Sequence, residues 1–133
     1  MLHYIHVSSR DRNELIDITD RVEEIVRQSG VSSGVCHLFT FHTTAAVTIN
    51  EGADPAVRRD IAGFLARLVP VDASFSHGEG NSDSHVKTSL VGPSQTVIIE
   101  EGRLLLGTWQ AIFFCEFDGP RARKVAVKIM PDP

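Results

Sequence analysis

From Lys124 to Met130 the chain alternates strictly: Val125, Val127 and Ile129 fall on one side, Lys124 and Lys128 on the other. Successive side chains of a strand point to opposite faces, so this run belongs in a sheet with one buried and one wet face. Such a strand needs antiparallel neighbours and a layer to cover its apolar side, and these must come from upstream.

The neighbours are legible. Residues 2–8 alternate in the same way, and β-rich runs recur at Val35 to Phe41, Ala45 to Asn50, Thr96 to Ile99, Leu104 to Leu106 and Ala111 to Phe117. Turn residues separate the later runs: Glu-Glu-Gly-Arg at 100–103 and Asp-Gly-Pro-Arg at 118–121. Helices lie between the strands. Ile18, Val22, Ile25 and Val26 have helical spacing and stop at Gly30. Asp54 is a suitable N-cap, Pro55 suits the first helical position, and Val57, Ile61, Phe64, Leu65 and Leu68 form a stripe expected to pack on the sheet. Arg58, Arg59 and Arg67 fall off that stripe and read as a solvated face. After a polar loop over 71–83, Ser82 or Asp83 can cap a short helix through His85, Val86, Lys87 and Leu90 to Gly92. Strands at both ends with helices inserted predict an α+β fold, an antiparallel sheet or sandwich with helices against one face. At 133 residues the whole chain, 1–133, reads as one domain.

Composition narrows the function. A formal net charge of -4 without an arginine-rich run gives no general attraction to nucleic acid or anionic lipid. No segment reaches membrane-spanning length and the amino terminus lacks the pattern of a secretory signal, so the expected location is cytoplasmic. Neither GxGxxG nor GxxxxGK[ST] occurs. Cys36 and Cys115 lie inside strand-like runs and read as small buried hydrophobes.

Two stretches collect reactive side chains instead: His42-Thr43-Thr44 and the segment from His77 to His85, with Glu79, Asn81, Asp83 and Ser84. Neutral imidazole is the commonest side-chain ligand of transition metals, and three imidazoles leave a position open for water or substrate. The eight-residue step from His77 to His85 matches no tight helical metal pair, so a loop organised by Asx turns stands beside the metal reading. Asn81 and its polar neighbours could orient the rings of a metal site. His3, His6 and His37 sit in alternating strand patterns and read as structural or surface residues. In Gly107-Thr108-Trp109-Gln110, Trp109 reads either as a pocket wall with Gln110 bonding to ligand, or as a core anchor at a bend. Glu116 is an acid within an apolar strand.

His42-Thr-Thr-Ala-Ala-Val-Thr-Ile-Asn-Glu51, the Glu79-Gly-Asn stretch leading to His85-Val-Lys87, and Gly107-Thr-Trp-Gln110 together resemble the signature of the YjbQ-like secondary thiamine-phosphate synthase family. The resemblance runs nearly end to end. It implies a distorted antiparallel β-sandwich with helices packed against it, a homotrimer, and a polar pocket near a subunit boundary. It also implies joining of an aminopyrimidine methyl diphosphate to a thiazole phosphate with loss of diphosphate. Carried over by residue, it marks Glu79, Lys87, Gln110 and Glu116 as catalytic candidates. Thr43, Thr44, Asn81 and Trp109 become substrate-binding candidates, and His42, His77 and His85 metal ligands. The chain departs from many members in having Asn81-Ser-Asp-Ser84 before the last histidine, and Phe117 where a histidine follows the acid. The expected metal is divalent and zinc-like, with magnesium as the choice diphosphate chemistry would favour. The expected ligand is a small phosphorylated metabolite. Alternatives are a metal-dependent hydrolase of small phosphorylated substrates, and a non-enzymatic trimer that binds a metabolite or a metal.

Overall fold

The computed structural model describes residues 1–133. Its elements are β1 (Leu2–Ser8), β2 (Glu14–Asp17), α1 (Thr19–Ser29), β3 (Ser33–Phe39), β4 (Ala45–Glu51), α2 (Pro55–Leu68), α3 (Ser82–Val91), β5 (Ser94–Glu100), β6 (Arg103–Leu104), β7 (Gln110–Glu116) and β8 (Ala122–Pro131). The strands form two antiparallel sheets, β1-β8-β3-β5-β6 and β2-β7-β4, in an α+β fold.

The carboxy-terminal alternation governs the larger sheet. Val125, Val127 and Ile129 are buried against the smaller sheet, where Ile5, Val7, Leu38, Val97 and Ile99 join them and Val47, Ile112 and Phe114 meet them from across. Helix α1 closes this core with Val22 and Val26, together with its N-cap residue Ile18, and Gly30 ends it in the left-handed region at φ 70°. A second apolar layer lies on the far side of the smaller sheet: Leu15, Ala46, Phe113, Cys115 and Phe117 pack under Ile61 and Leu65 of α2 and Val91 of α3. Strand β7 is therefore covered on both faces, which explains its unbroken apolar run from Ala111 to Cys115.

Several boundaries differ from expectation. Strand β2 escapes periodicity because four residues, Glu14–Asp17, hold too few alternations. Strand β3 stops at Phe39, since Thr40 turns its N–H to the Pro93 carbonyl at 2.9 Å and Phe41 emerges exposed. Strand β6 shrinks to Arg103–Leu104 behind a two-residue hairpin in which Glu101 and Gly102 both have positive φ, 53° and 76°. Asp54 caps α2 as expected, accepting from the Ala56 N–H at 2.9 Å. The α2 stripe packs only in part, because Phe64 and Leu68 are each 57% exposed. Arg58 of the same helix is not merely solvated; it lies over the Phe113 ring, 5.3 Å from its centroid. Both cysteines are free and buried, and burial pushes their thiols up to about 11 at Cys36 and about 12 at Cys115.

Three of the loops that carry the chain between the larger and the smaller sheet are residues 9–13, 40–44 and 117–121, while a fourth, 105–109, joins β6 to β7. Ladder register puts the first three at one end, the crossover end: Glu14 and Ala45 both pair with Glu116, and Ser8 pairs with Ala122. Since Phe114 is fully buried between the sheets, Phe114→Ala should lower unfolding free energy by about 3–5 kcal/mol. Urea denaturation reads this; a loss below about 1 kcal/mol would mean the two sheets do not share that core.

Candidate functional site

Strands that change sheets leave backbone and polar side chains inside the protein, and each needs a partner there. Two buried side chains, Glu116 on β7 and Arg123 on β8, meet that need between the sheets. Glu116 Oε1 accepts from Arg123 Nε at 2.9 Å and from Ser9 Oγ at 2.7 Å. Its Oε2 accepts from Arg123 Nη2 and from the Asp118 N–H, the latter at 3.0 Å. Arg123 Nη2 also donates to Thr44 Oγ1 at 2.8 Å. One ion pair thus holds Ser9, Thr44 and Asp118, one from each of the three loops at this end. Gly119 fits this corner because a Cβ there would stand 2.1 Å from the Asp11 carbonyl oxygen.

A second cluster ties helix α3 to the same corner. Asp83 is buried in its first turn and accepts from Arg12 Nη2 at 2.8 Å and from Lys87 Nζ at 2.9 Å. Lys87 completes its contacts at Asn13 Oδ1, 3.2 Å away. Asp118 accepts from Asn81 Nδ2 at 2.9 Å and from Arg121 Nη2 at 3.0 Å. The start of α3 is therefore pinned beside the crossovers, with His85 one turn in.

Between these parts opens a cavity of about 340 Å³. That volume falls in the range of roughly 300–1,000 Å³ usual for small-molecule sites. His42, Thr43, Thr44, Glu79, Asn81 and His85 all line it, so most of the two sequence stretches meet, together with Phe41, Asp118, Arg121 and Arg123. His42 Nε2 accepts the Lys124 N–H at 2.9 Å, which puts the proton of the neutral ring on Nδ1. Burial lowers the His42 pKa first, the Arg123 charge adds to that, and Glu116 only partly opposes them, so the neutral form is favoured.

Other candidates lie elsewhere. His77 is outside the cavity lining; its ring stands edge-on to His85 with centroids 5.5 Å apart, and its Nε2 is 3.6 Å from Glu79. Lys87 is 1% exposed and engaged with Asp83, while Glu116 has both oxygens occupied beneath the cavity. Trp109 and Gln110 sit at the opposite end of β7 from Glu116, where Trp109 is 64% exposed and Gln110 Oε1 accepts the Gly107 N–H. Phe117, the residue after the buried acid, fills the core under the helices. His42, His77 and His85 do not close on one point: no three His, Cys, Asp or Glu side chains are grouped to hold a metal ion. The donor set as placed does not fit a three-imidazole metal centre.

Reasoning from sequence passed over Phe41, Asp118, Arg121 and Arg123. Arg123 did have a signal, since it shares the buried parity of Val125, Val127 and Ile129. An arginine on an inward face requires an inward carboxylate, and Glu116 supplies it.

Burial acts to raise the Glu116 pKa, but hydrogen bonds from Arg123, Ser9 and the Asp118 N–H, with the Arg123 charge, hold it below the ordinary 4.5. At Asp83 burial is likewise outweighed by Lys87 and Arg12. A carboxyl depressed by folding stabilises the protein fully above its ordinary range, and that contribution is lost as pH falls through the folded value. Glu116→Gln should therefore cost about 3–5 kcal/mol near neutral pH by leaving Arg123 buried and unpaired. The acid-side loss of stability below the ordinary 4.5 should also become shallower. Urea titrations at several pH values test both; an unchanged acid slope would remove Glu116 from the acid response.

Comparison with known proteins agrees with the motifs as to the YjbQ-like family. The family model described as UPF0047 protein YjbQ-like matches residues 3–132. A UPF0047 protein of Methanocaldococcus jannaschii is 52% identical over 99% of this chain and 96% of its own length. YugU of Bacillus subtilis is 47% identical over 98% and 99%. Among solved structures, a YjbQ/UPF0047 family protein from Clostridium acetobutylicum superposes with a TM-score of 0.94 at 51% identity, over 96% of this chain and 99% of that one. A YbjQ-like protein of unknown function from Sulfolobus solfataricus gives a TM-score of 0.95 at 36% identity, over 99% and 97%. The chain belongs to the UPF0047 protein YjbQ-like family.

Proposed function

We propose that the crossover cavity binds a small phosphorylated metabolite and carries out a transfer of the secondary thiamine-phosphate synthase type. An aminopyrimidine methyl diphosphate loses its carbon–oxygen bond to diphosphate, and the freed methylene bonds to the nitrogen of a thiazole phosphate. The diphosphate leaves with the bonding electrons, so catalysis consists of stabilising negative charge as it develops on that oxygen.

The observation that carries this reading is the collection of hydrogen-bond donors around one cavity. His42, Thr43, Asn81, His85 and Arg121 all line it. Beneath and beside it the ion-pair clusters hold four cations, Arg12, Lys87, Arg121 and Arg123, with three carboxylates, Asp83, Glu116 and Asp118, and Glu79 on the cavity wall is a fourth. These charges balance, so what favours an anion is local: the amino-terminal end of α3, which begins at Ser82, presents its partial positive charge. Arg121 is the cation free to reach an anion, with its side chain 52% exposed while its Nε and Nη2 are steadied by Asp118. His42 and His85 would donate to the departing oxygens, and Arg121 would hold the terminal phosphate.

The same reading makes the protein a cytoplasmic homotrimer. What supports assembly is the unpartnered side of α2, where a groove of about 580 Å³ is lined by Val57, Ile61, Phe64 and Leu65. No helix is long and apolar enough to cross a membrane.

Coupling of the two phosphorylated rings, followed by chromatography of the product, tests the activity. His85→Ala should lower kcat by about 10²-fold or more with a smaller change in KM, as expected for a donor acting on the transition state. Arg121→Ala should weaken inorganic pyrophosphate binding by about tenfold or more. Release of inorganic phosphate from simple esters, without coupling, would replace the synthase with a hydrolase.

A further inference from the structure

Phe41 is the one apolar side chain lining the cavity, and 47% of it is exposed. A cavity serving only phosphate has no use for a benzene ring at its wall, where water wets it at a cost. The ring is nonetheless held in place. Tyr4 meets it edge-on, with centroids 6.5 Å apart and planes at 80°, and the His42 ring lies tilted at 5.4 Å. The Lys124 ammonium stands 5.5 Å from its centroid and 5.2 Å from that of Tyr4. Both chain neighbours are anchored, Thr40 through its N–H on the Pro93 carbonyl and His42 through Nε2 on the Lys124 N–H, each at 2.9 Å. A fixed aromatic ring, half open and beside hydrogen-bond donors, has the form of a recognition surface.

We propose that Phe41 is a specificity-determining wall: a planar heteroaromatic ring of the substrate stacks on it while the attached phosphate lies at Arg121 and the start of α3. This rests on the reading of the cavity as a phosphate site and adds the residue that selects an aromatic group next to the phosphate. Aromatic rings attract one another in offset or edge-on contact beyond the effect of the area they bury, and a saturated ring of the same size gains only the area term. The cavity, at about 340 Å³, places this ring and the phosphate donors in one lining, with Thr43 beside them for a polar substituent.

Calorimetric titration of the full chain with inorganic phosphate, phenyl phosphate and cyclohexyl phosphate separates the two claims. The wild type should bind phenyl phosphate about fivefold more tightly than cyclohexyl phosphate. Phe41→Ala should abolish that preference and leave inorganic phosphate binding unchanged, whereas Phe41→Trp should keep the preference. Equal binding of the two esters by the wild type, with inorganic phosphate bound, overturns the stacking wall alone. A Phe41→Ala variant that changes sedimentation behaviour but keeps the ring preference also overturns it, by assigning Phe41 to an interface between copies. If none of the three compounds binds, the phosphate reading falls and the wall falls with it.

Discussion

The ion pair between Glu116 and Arg123 is the contact on which the site end of the molecule depends. It joins β7 of the smaller sheet to β8 of the larger one, and its remaining hydrogen bonds reach Ser9, Thr44 and Asp118. Burying two charges is costly, and their attraction offsets that only when nearly every donor and acceptor is used. Here Glu116 makes four hydrogen bonds through its two oxygens. An apolar pair of similar size could fill the space, but it could not hold three crossover segments in register.

That arrangement also explains why the polar cavity sits where it does. Apolar layers lie on both sides of the smaller sheet, so the middle of the fold offers no room for polar chemistry. At the crossover end the ladders stop, backbone groups turn away from the sheets, and side chains such as Thr44 and Asn81 can face a shared space. Buried Asp83 and Lys87 then fix the beginning of α3, which brings His85 across from His42. The proposed chemistry needs little movement of these groups, because most of them are already bonded to the framework.

Much of this was legible in the residues, for reasons that differ by element. The β8 alternation, the Asp54-Pro55 start of α2 and the Gly30 stop of α1 are local signals, and each is realised. Strand β2 was not legible because its pairing with β7 is set by tertiary contact rather than by pattern. At the site, polar density marked His42, Thr43, Thr44, Glu79, Asn81 and His85, and these do share a cavity. Lys87 and Glu116 looked equally available, yet burial turns both into framework. Residue type reveals chemical capacity, whereas access depends on which side of a buried layer the residue falls. Arg123 shows the reverse error: its parity was readable, but a lone inward arginine draws attention only once its carboxylate partner is considered.

Backbone amide NMR of the full chain, titrated with inorganic pyrophosphate, tests most directly whether the crossover cavity is where this protein meets its substrate. The account predicts saturable shifts concentrated at Thr43, Thr44, Asn81, Ser82, His85 and Gly119, with α2 and Trp109 undisturbed. Shifts centred on the α2 groove or on Trp109, with the crossover end silent, would contradict it.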